Sequence, residues 1–199
     1  FKQAGALPLP LTLLRKAMDQ GAALFPVRLD VKAERIACDA ASAVLLTPQV
    51  TKARAILHLH GGAFFAGSAK THQSLCAEIA HRAECPVLLV EYRLAPEHAY
   101  PAPLDDALSA WRLLLDRGFR PEQITVAGDS AGGALALSLV QRLKQQGDTL
   151  PGALVLMSPY LDLTLSRFSV KALAGKDPML SKAPLQRGGD AYRGAYAAT

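Results

Sequence analysis

The sequence predicts an α/β fold built on a mostly parallel sheet with flanking helices, and three observations carry that prediction. Four short apolar runs, at 55–59 (AILHL), 87–90 (VLLV), 124–127 (ITVA) and 153–157 (ALVLM), have the length and composition of strands covered on both faces. Stretches with helical spacing separate them, at 71–83, 104–115 and 131–146. The first and third runs lead into Gly-rich turns. Right-handed crossovers would bring the carboxyl ends of these strands to one edge, where the chemistry of open α/β sheets gathers.

Composition bounds what such a chain can be. Its 199 residues make one domain or part of a larger one. Half are hydrophobic and a fifth charged, which excludes a disordered chain. The net charge of +5 is scattered, Arg15-Lys16 being the densest pair, so no nucleic-acid partner is expected. No run of eighteen apolar residues exists, so no membrane span is expected. The apolar stretch 6–14 contains Pro8 and Pro10 and lacks a cleavage site, so it does not read as a signal peptide. Cys38, Cys76 and Cys85 are odd in number and lack metal spacing, which makes a reducing, cytoplasmic setting the default. The chain opens on Phe1, so an upstream piece is expected to be lost and secretion is not excluded.

Taken in order, 11–24 places Leu11, Leu14, Met18 and Ala22 at helical spacing, and Pro26 ends the helix. Residues 27–36 and 43–46 read as strands, with Pro48 as a breaker. In the helix at 104–115, Leu104, Ala107, Leu108, Trp111, Leu114 and Leu115 share a face. Gly147 stops the helix at 131–146. From Ser158 the strand–helix rhythm gives way to irregular and helical chain.

The sharpest motif is Gly128-Asp129-Ser130-Ala131-Gly132-Gly133, between the ITVA strand and the next helix. This is G-x-S-x-G in the strand–turn–helix context that makes it a nucleophile elbow. A serine on so tight a turn has strained backbone angles, and glycines beside it avoid a clash. The helix that follows aims its first amides at the place where an oxyanion would form. The competing readings are an incidental serine in a Gly-rich turn or a phosphate-binding turn. No Gly-Lys-Ser/Thr follows, which excludes a P-loop. The second motif, His60-Gly61-Gly62-Ala63, follows AILHL and resembles the HGGG turn that supplies oxyanion-hole amides. Alone it would pass for an ordinary strand-to-loop turn.

Four stretches in order, LHLHGGAFFAGS (57–68), VEYRLAPEHAYPAPLDDA (90–107), ITVAGDSAGGALA (124–136) and SPYLDLTLS (158–166), resemble the hormone-sensitive-lipase family of α/β-hydrolases, a group rich in carboxylesterases. The resemblance implies an α/β-hydrolase-type sheet with a partial cap. It implies Ser130 as nucleophile, and the amides of Gly62, Ala63 and Ala131 as the oxyanion hole, with Gly61 shaping the turn. His60 would tie the loop down. Tyr92, Arg93 and Glu97 would brace the elbow. Residues 1–26 would be an N-terminal cap segment, 27–159 the core and 160–199 a second, incomplete cap segment. The implied activity is hydrolysis of short- to medium-chain carboxylic esters, with a small-molecule ester as substrate and no cofactor or metal.

Two departures stand out. Ala63 occupies the third glycine position, which costs little at negative φ and is strained at positive φ. More seriously, His58, His60, His72, His81 and His98 all precede Ser130, whereas the fold places a triad Asp or Glu and then a His after the nucleophile. Asp177, Asp162 and Asp190 are weak substitutes for the acid, and His98 for the base. His58 and His60 form an H-x-H without a third metal ligand. The expectation is an incomplete copy of a longer hydrolase, truncated before the last strands, lacking the triad Asp and His and inactive alone. The alternatives are a non-catalytic ligand-binding protein, as in the plant gibberellin receptors that resemble this family, and an inactive remnant. Oligomeric state stays open, a homo-oligomer included.

Overall fold

The computed structural model describes residues 10–167, 170, 172, 175–178 and 180–198. The N-terminal part of the apolar 6–14 stretch and parts of the 160–199 segment lie outside the described residues. A six-stranded sheet runs β1 (Val31–Cys38), β2 (Ala41–Pro48), β4 (Val87–Glu91), β3 (Ala55–Leu59), β5 (Ile124–Asp129), β6 (Ala153–Met157) from edge to edge. The hairpin β1–β2 is antiparallel, and β2 joins β4 antiparallel. The strands β4, β3, β5 and β6 are parallel. Helices α1 (Leu11–Ala22), α2 (Ala69–Ala83), α3 (Ala102–Asp116), α4 (Ser130–Gln146) and α5 (Lys182–Arg193) complete the described framework.

The continuous apolar runs owe their character to burial on both faces, and β4 shows this most simply. Val87 and Leu89 pack with Leu46, Cys76 and Ala80 under α2. Leu88 and Val90 point the other way, into a larger core with Leu57, Leu59, Val126, Trp111, Leu135 and Leu139 under α3 and α4. A third, small cluster joins Ala63, Phe65 and Ala66 to Leu11, Leu14 and Met18 of α1 and Leu185 of α5. Both terminal helices therefore converge on the turn after β3.

The expected strand at 27–36 begins only at Val31. Ahead of it Arg28 bonds to Asp30 and Glu78 in a bend that anchors the segment to α2. Strand β2 extends past 43–46 in both directions because β1 pairs along its whole length. Helix α2 starts earlier than its apolar spacing, at Ala69, since Ser68 caps it and exchanges bonds with Thr71 in a capping box. Helix α1 ends at Ala22 rather than at 24. Gly147, at φ 75°, closes α4. Among the described residues no helix is long and apolar enough to cross a membrane.

Candidate active site

Strands β3 and β5 are neighbours, with Leu59 opposite Gly128, so the turns that follow them lie side by side. After β5 the chain reverses at Ser130, whose φ is 50°, and enters α4 at once. A non-glycine residue at that angle is strained, and such strain clusters at functional sites. The glycines around it are there for close approach. A side chain on Gly132 would run into the Leu59 carbonyl, and one on Gly128 into the backbone of Gly132, while Gly133 sits against Pro159 and the Gly128 carbonyl. The first turn of α4 thus lies directly on the ends of β3 and β5. The Ser130 carbonyl accepts a 2.8 Å bond from the Tyr160 amide. Its Oγ has no hydrogen-bond partner among the described residues, and the residue is half-buried. The Ala131 amide, at the start of the same helix, belongs to the group of first-turn donors with no partner one turn back.

After β3, Gly62, Ala63 and Phe64 have φ of 128°, 52° and 64°. Ala63 therefore takes the strained alternative raised by the sequence, at a cost of about 1–2 kcal/mol for an L residue in the left-handed region. The turn is closed by bonds from the Phe65 and Ala66 amides to the Gly62 carbonyl and from the Ala95 amide to the Phe64 carbonyl. The Gly62 and Ala63 amides donate to no described residue. A run of such amides forms a concave anion-binding nest. Gly61 differs from its neighbours: its amide donates to Asp129 Oδ1 at 3.1 Å, so it shapes the turn and is not a free oxyanion donor.

His60 is fully buried, stacked on Tyr92 at 4.2 Å, with Nδ1 2.8 Å from the Gly61 carbonyl. Burial pushes its pKa down to about 3, so it is neutral and structural. Tyr92 donates to the His60 carbonyl at 2.6 Å. Of the residues expected to brace the elbow, then, Tyr92 braces the neighbouring turn instead. Arg93 pairs with the buried Asp106 of α3, and Glu97 pairs with Arg15 of α1. They tie the β4 loop to helices rather than to Ser130.

The carboxylate of Asp129 joins the two turns. It faces His58 Nε2 and His72 Nε2, each at 3.4 Å, as well as the Gly61 amide. Burial pushes this carboxyl up, but the two facing imidazoles outweigh it and hold the group well below the usual carboxylate range.

Comparison with known proteins decides the family. The family model described as alpha/beta hydrolase fold matches residues 56–199, more than half of the chain. This chain belongs to the α/β-hydrolase fold family. An esterase of Acinetobacter venetianus is 42% identical over 175 residues, covering 88% of this chain and 58% of its own. Esterase LipU of Mycobacterium tuberculosis is 50% identical over 110 residues, or 55% of this chain and 37% of that one. An esterase of the bacterial hormone-sensitive lipase family superposes with a TM-score of 0.90 at 32% identity, covering 96% of this chain and 65% of the other. Within the α/β hydrolases the chain is of the hormone-sensitive-lipase type. It spans a little over half the length of the Acinetobacter relative.

None of the chain's five histidines bonds to Ser130. His58, His60 and His72 gather behind the elbow, His81 pairs with Asp30, and His98 lies exposed on the loop after β4. The weak acid candidates are engaged locally: Asp162 with Thr164, Asp177 with the Leu180 amide, Asp190 with Gln186 and Arg193. No group of side chains able to hold a metal exists among the described residues. Sequence reasoning passed over His72 and the carboxylate role of Asp129. The one available signal was the Ser68–Thr71 capping box, which places His72 on the first turn of α2, facing β3 and β5.

Proposed function

We propose that the whole protein hydrolyses carboxylic esters through an acyl–Ser130 intermediate. The observation that carries this reading is Ser130 itself, strained at φ 50°, its Oγ unengaged, beside a turn with two undonated amides. Ser130 Oγ attacks the ester carbonyl and loses its proton to a base. The carbonyl oxygen becomes an oxyanion held by the amides of Gly62, Ala63 and Ala131. Collapse expels the alcohol with that proton, and water then cleaves the acyl-enzyme by the same route. Losing one such donor costs on the order of 10²–10³-fold in rate.

The triad acid and imidazole base are proposed to come from outside this 199-residue stretch. Helix α1 and the segment with α5 act as cap segments, because both pack on the turn holding Ala63. A roof of this kind suits short- to medium-chain acyl esters of small molecules. The free, buried Cys38, Cys76 and Cys85 favour a cytoplasmic setting.

The test is reaction of the whole protein with a fluorophosphonate and with p-nitrophenyl butyrate. Labelling mapped to Ser130, and loss of both reactions in Ser130→Ala with unchanged melting temperature, are expected. Undiminished turnover by Ser130→Ala would overturn the assignment.

A further inference from the structure

The proposed chemistry leaves a partly buried group unused: His72, on the first turn of α2, with His58 and Asp129 around it. Hydrogen-bond accounting fixes much of the His72 ring. The Ser68 amide donates to Thr71 Oγ1 at 2.9 Å, and Thr71 donates its single hydroxyl proton to the Ser68 carbonyl at 2.8 Å. His72 Nδ1, 2.8 Å from the same Oγ1, must therefore be the donor in that contact. Nδ1 thus keeps a proton, and only Nε2 is free to change.

That nitrogen stands between two groups of opposite demand. It is 3.4 Å from Asp129 Oδ2, which can only accept, and 3.4 Å from the Gly61 amide, which can only donate. With its proton, Nε2 donates to Asp129 and leaves the Gly61 amide wholly to Asp129 Oδ1 at 3.1 Å. Without it, Nε2 competes for the Gly61 amide. The other end of the relay reaches α1, because Ser68 Oγ donates to Asp19 at 2.6 Å.

We infer that His72 is a positioning residue, holding the Gly61 amide and with it the Gly62–Ala63 turn in register with Ser130, through Thr71 on one side and Asp129 on the other. This rests on the reading of Ser130 as nucleophile. The ionisable groups facing the relay are His58 within and His60 just after β3, Asp129 from β5, Cys76 from α2, Glu91 at the end of β4 and Tyr92 just after it, and Asp19 from α1. Cys76 and Tyr92 are pushed up by burial, and His60 is down at about 3, so none of these three changes charge near neutral pH. His58 is fully buried, and its ring nitrogens make no hydrogen bond, its Nε2 lying 3.4 Å from Asp129 Oδ1.

The first measurement needs no variant. In the whole protein, the Gly61 amide proton and the His72 ring protons are followed by NMR against pH. A Gly61 amide signal that moves together with the His72 ring protons is expected, and independent behaviour would overturn the relay. In His72→Phe, Gly61 amide exchange should rise at least tenfold while that of Leu57, in the sheet core, stays unchanged. Unaltered Gly61 exchange would overturn it again.

The second measurement is ester hydrolysis by the whole protein. His72→Phe should lower kcat roughly ten- to hundredfold at nearly constant KM, as loss of a bond to a charged group predicts. His72→Gln, which keeps a polar side chain there, should recover part of the loss and change the pH profile. A fall in melting temperature with kcat intact would mean His72 only supports the fold. A wild type that fluorophosphonate fails to label would sink the nucleophile reading instead, and the NMR result would stand apart from it.

Discussion

Ala63 shows how closely opposed terms meet at one residue. Its φ of 52° costs about 1–2 kcal/mol. Glycine would relieve that, but lose about 0.4–1 kcal/mol to unfolded-state freedom and about 0.8 kcal/mol of methyl burial. Ala63→Gly should therefore change stability by less than about 1 kcal/mol in urea unfolding. Ala63→Val, β-branched at positive φ and pressed against Gly188, should cost more than about 2 kcal/mol. His60 makes a prediction of another kind. Its folded pKa of about 3 lies below the unfolded value near 6.5, so the unfolded chain binds the extra proton between them. Its contribution to stability is complete above about pH 6.5 and falls as pH drops toward 3, with a slope up to about 1.4 kcal/mol per pH unit. Urea unfolding at stepped pH should show that slope, and His60→Phe should flatten it. At this scale the serine elbow was legible because a tight turn leaves glycines in a row. His72 was not, because its partners lie on two other elements and meet only in the folded sheet.

Helix α1 is held by few contacts, and they are unequal. Arg15 bonds to the carbonyls of Phe65 and Ala95 at 2.8 Å each and to the exposed Glu97. Losing the arginine strips two partly buried carbonyls of their donor, whereas losing Glu97 removes only an exposed charge pair. Arg15→Ala should destabilise α1 docking by about 1–3 kcal/mol and Glu97→Gln by less than about 1 kcal/mol, read as faster amide exchange in α1. Helix α5 docks more closely. A side chain on Gly188 would run into the Ala63 carbonyl, and Tyr192 stacks on Phe64 at 3.9 Å. Gly188→Leu should lift α5 off the turn and expose Tyr192 to collisional quenching of its fluorescence, while the sheet still forms. The central strands and the helices between them were legible from apolar period and length alone. The start of β1 was not, since an Arg28–Asp30–Glu78 network, invisible to hydropathy, decides it. Nor did spacing reveal that α5 needs Gly188 to reach Ala63 and Gly189 to clear Leu163 and Tyr160.

At the scale of the molecule, β6 carries an apolar run like that of β5, yet Val155 is 45% exposed and no described strand pairs with its outer edge. An open apolar edge invites pairing with another chain. The 199-residue polypeptide should associate with rising concentration in sedimentation velocity, and Val155→Lys should suppress that association. The class of fold and the parallel run of strands could be read from the sequence, because each strand announces its own burial. The interleaved order, with β4 between β2 and β3, could not, since it is set by crossovers rather than by any local run. That order also governs when the elbow is assembled. The serine and the amide turn come from strands far apart in sequence and meet only once β3 and β5 pair with Leu59 opposite Gly128. Such long-range closure is slow, and a slip of one residue would turn every side chain of the strand to the opposite face. A chain still emerging or half collapsed therefore carries an ordinary serine, and the strained elbow and its neighbouring amides come together only with the finished sheet.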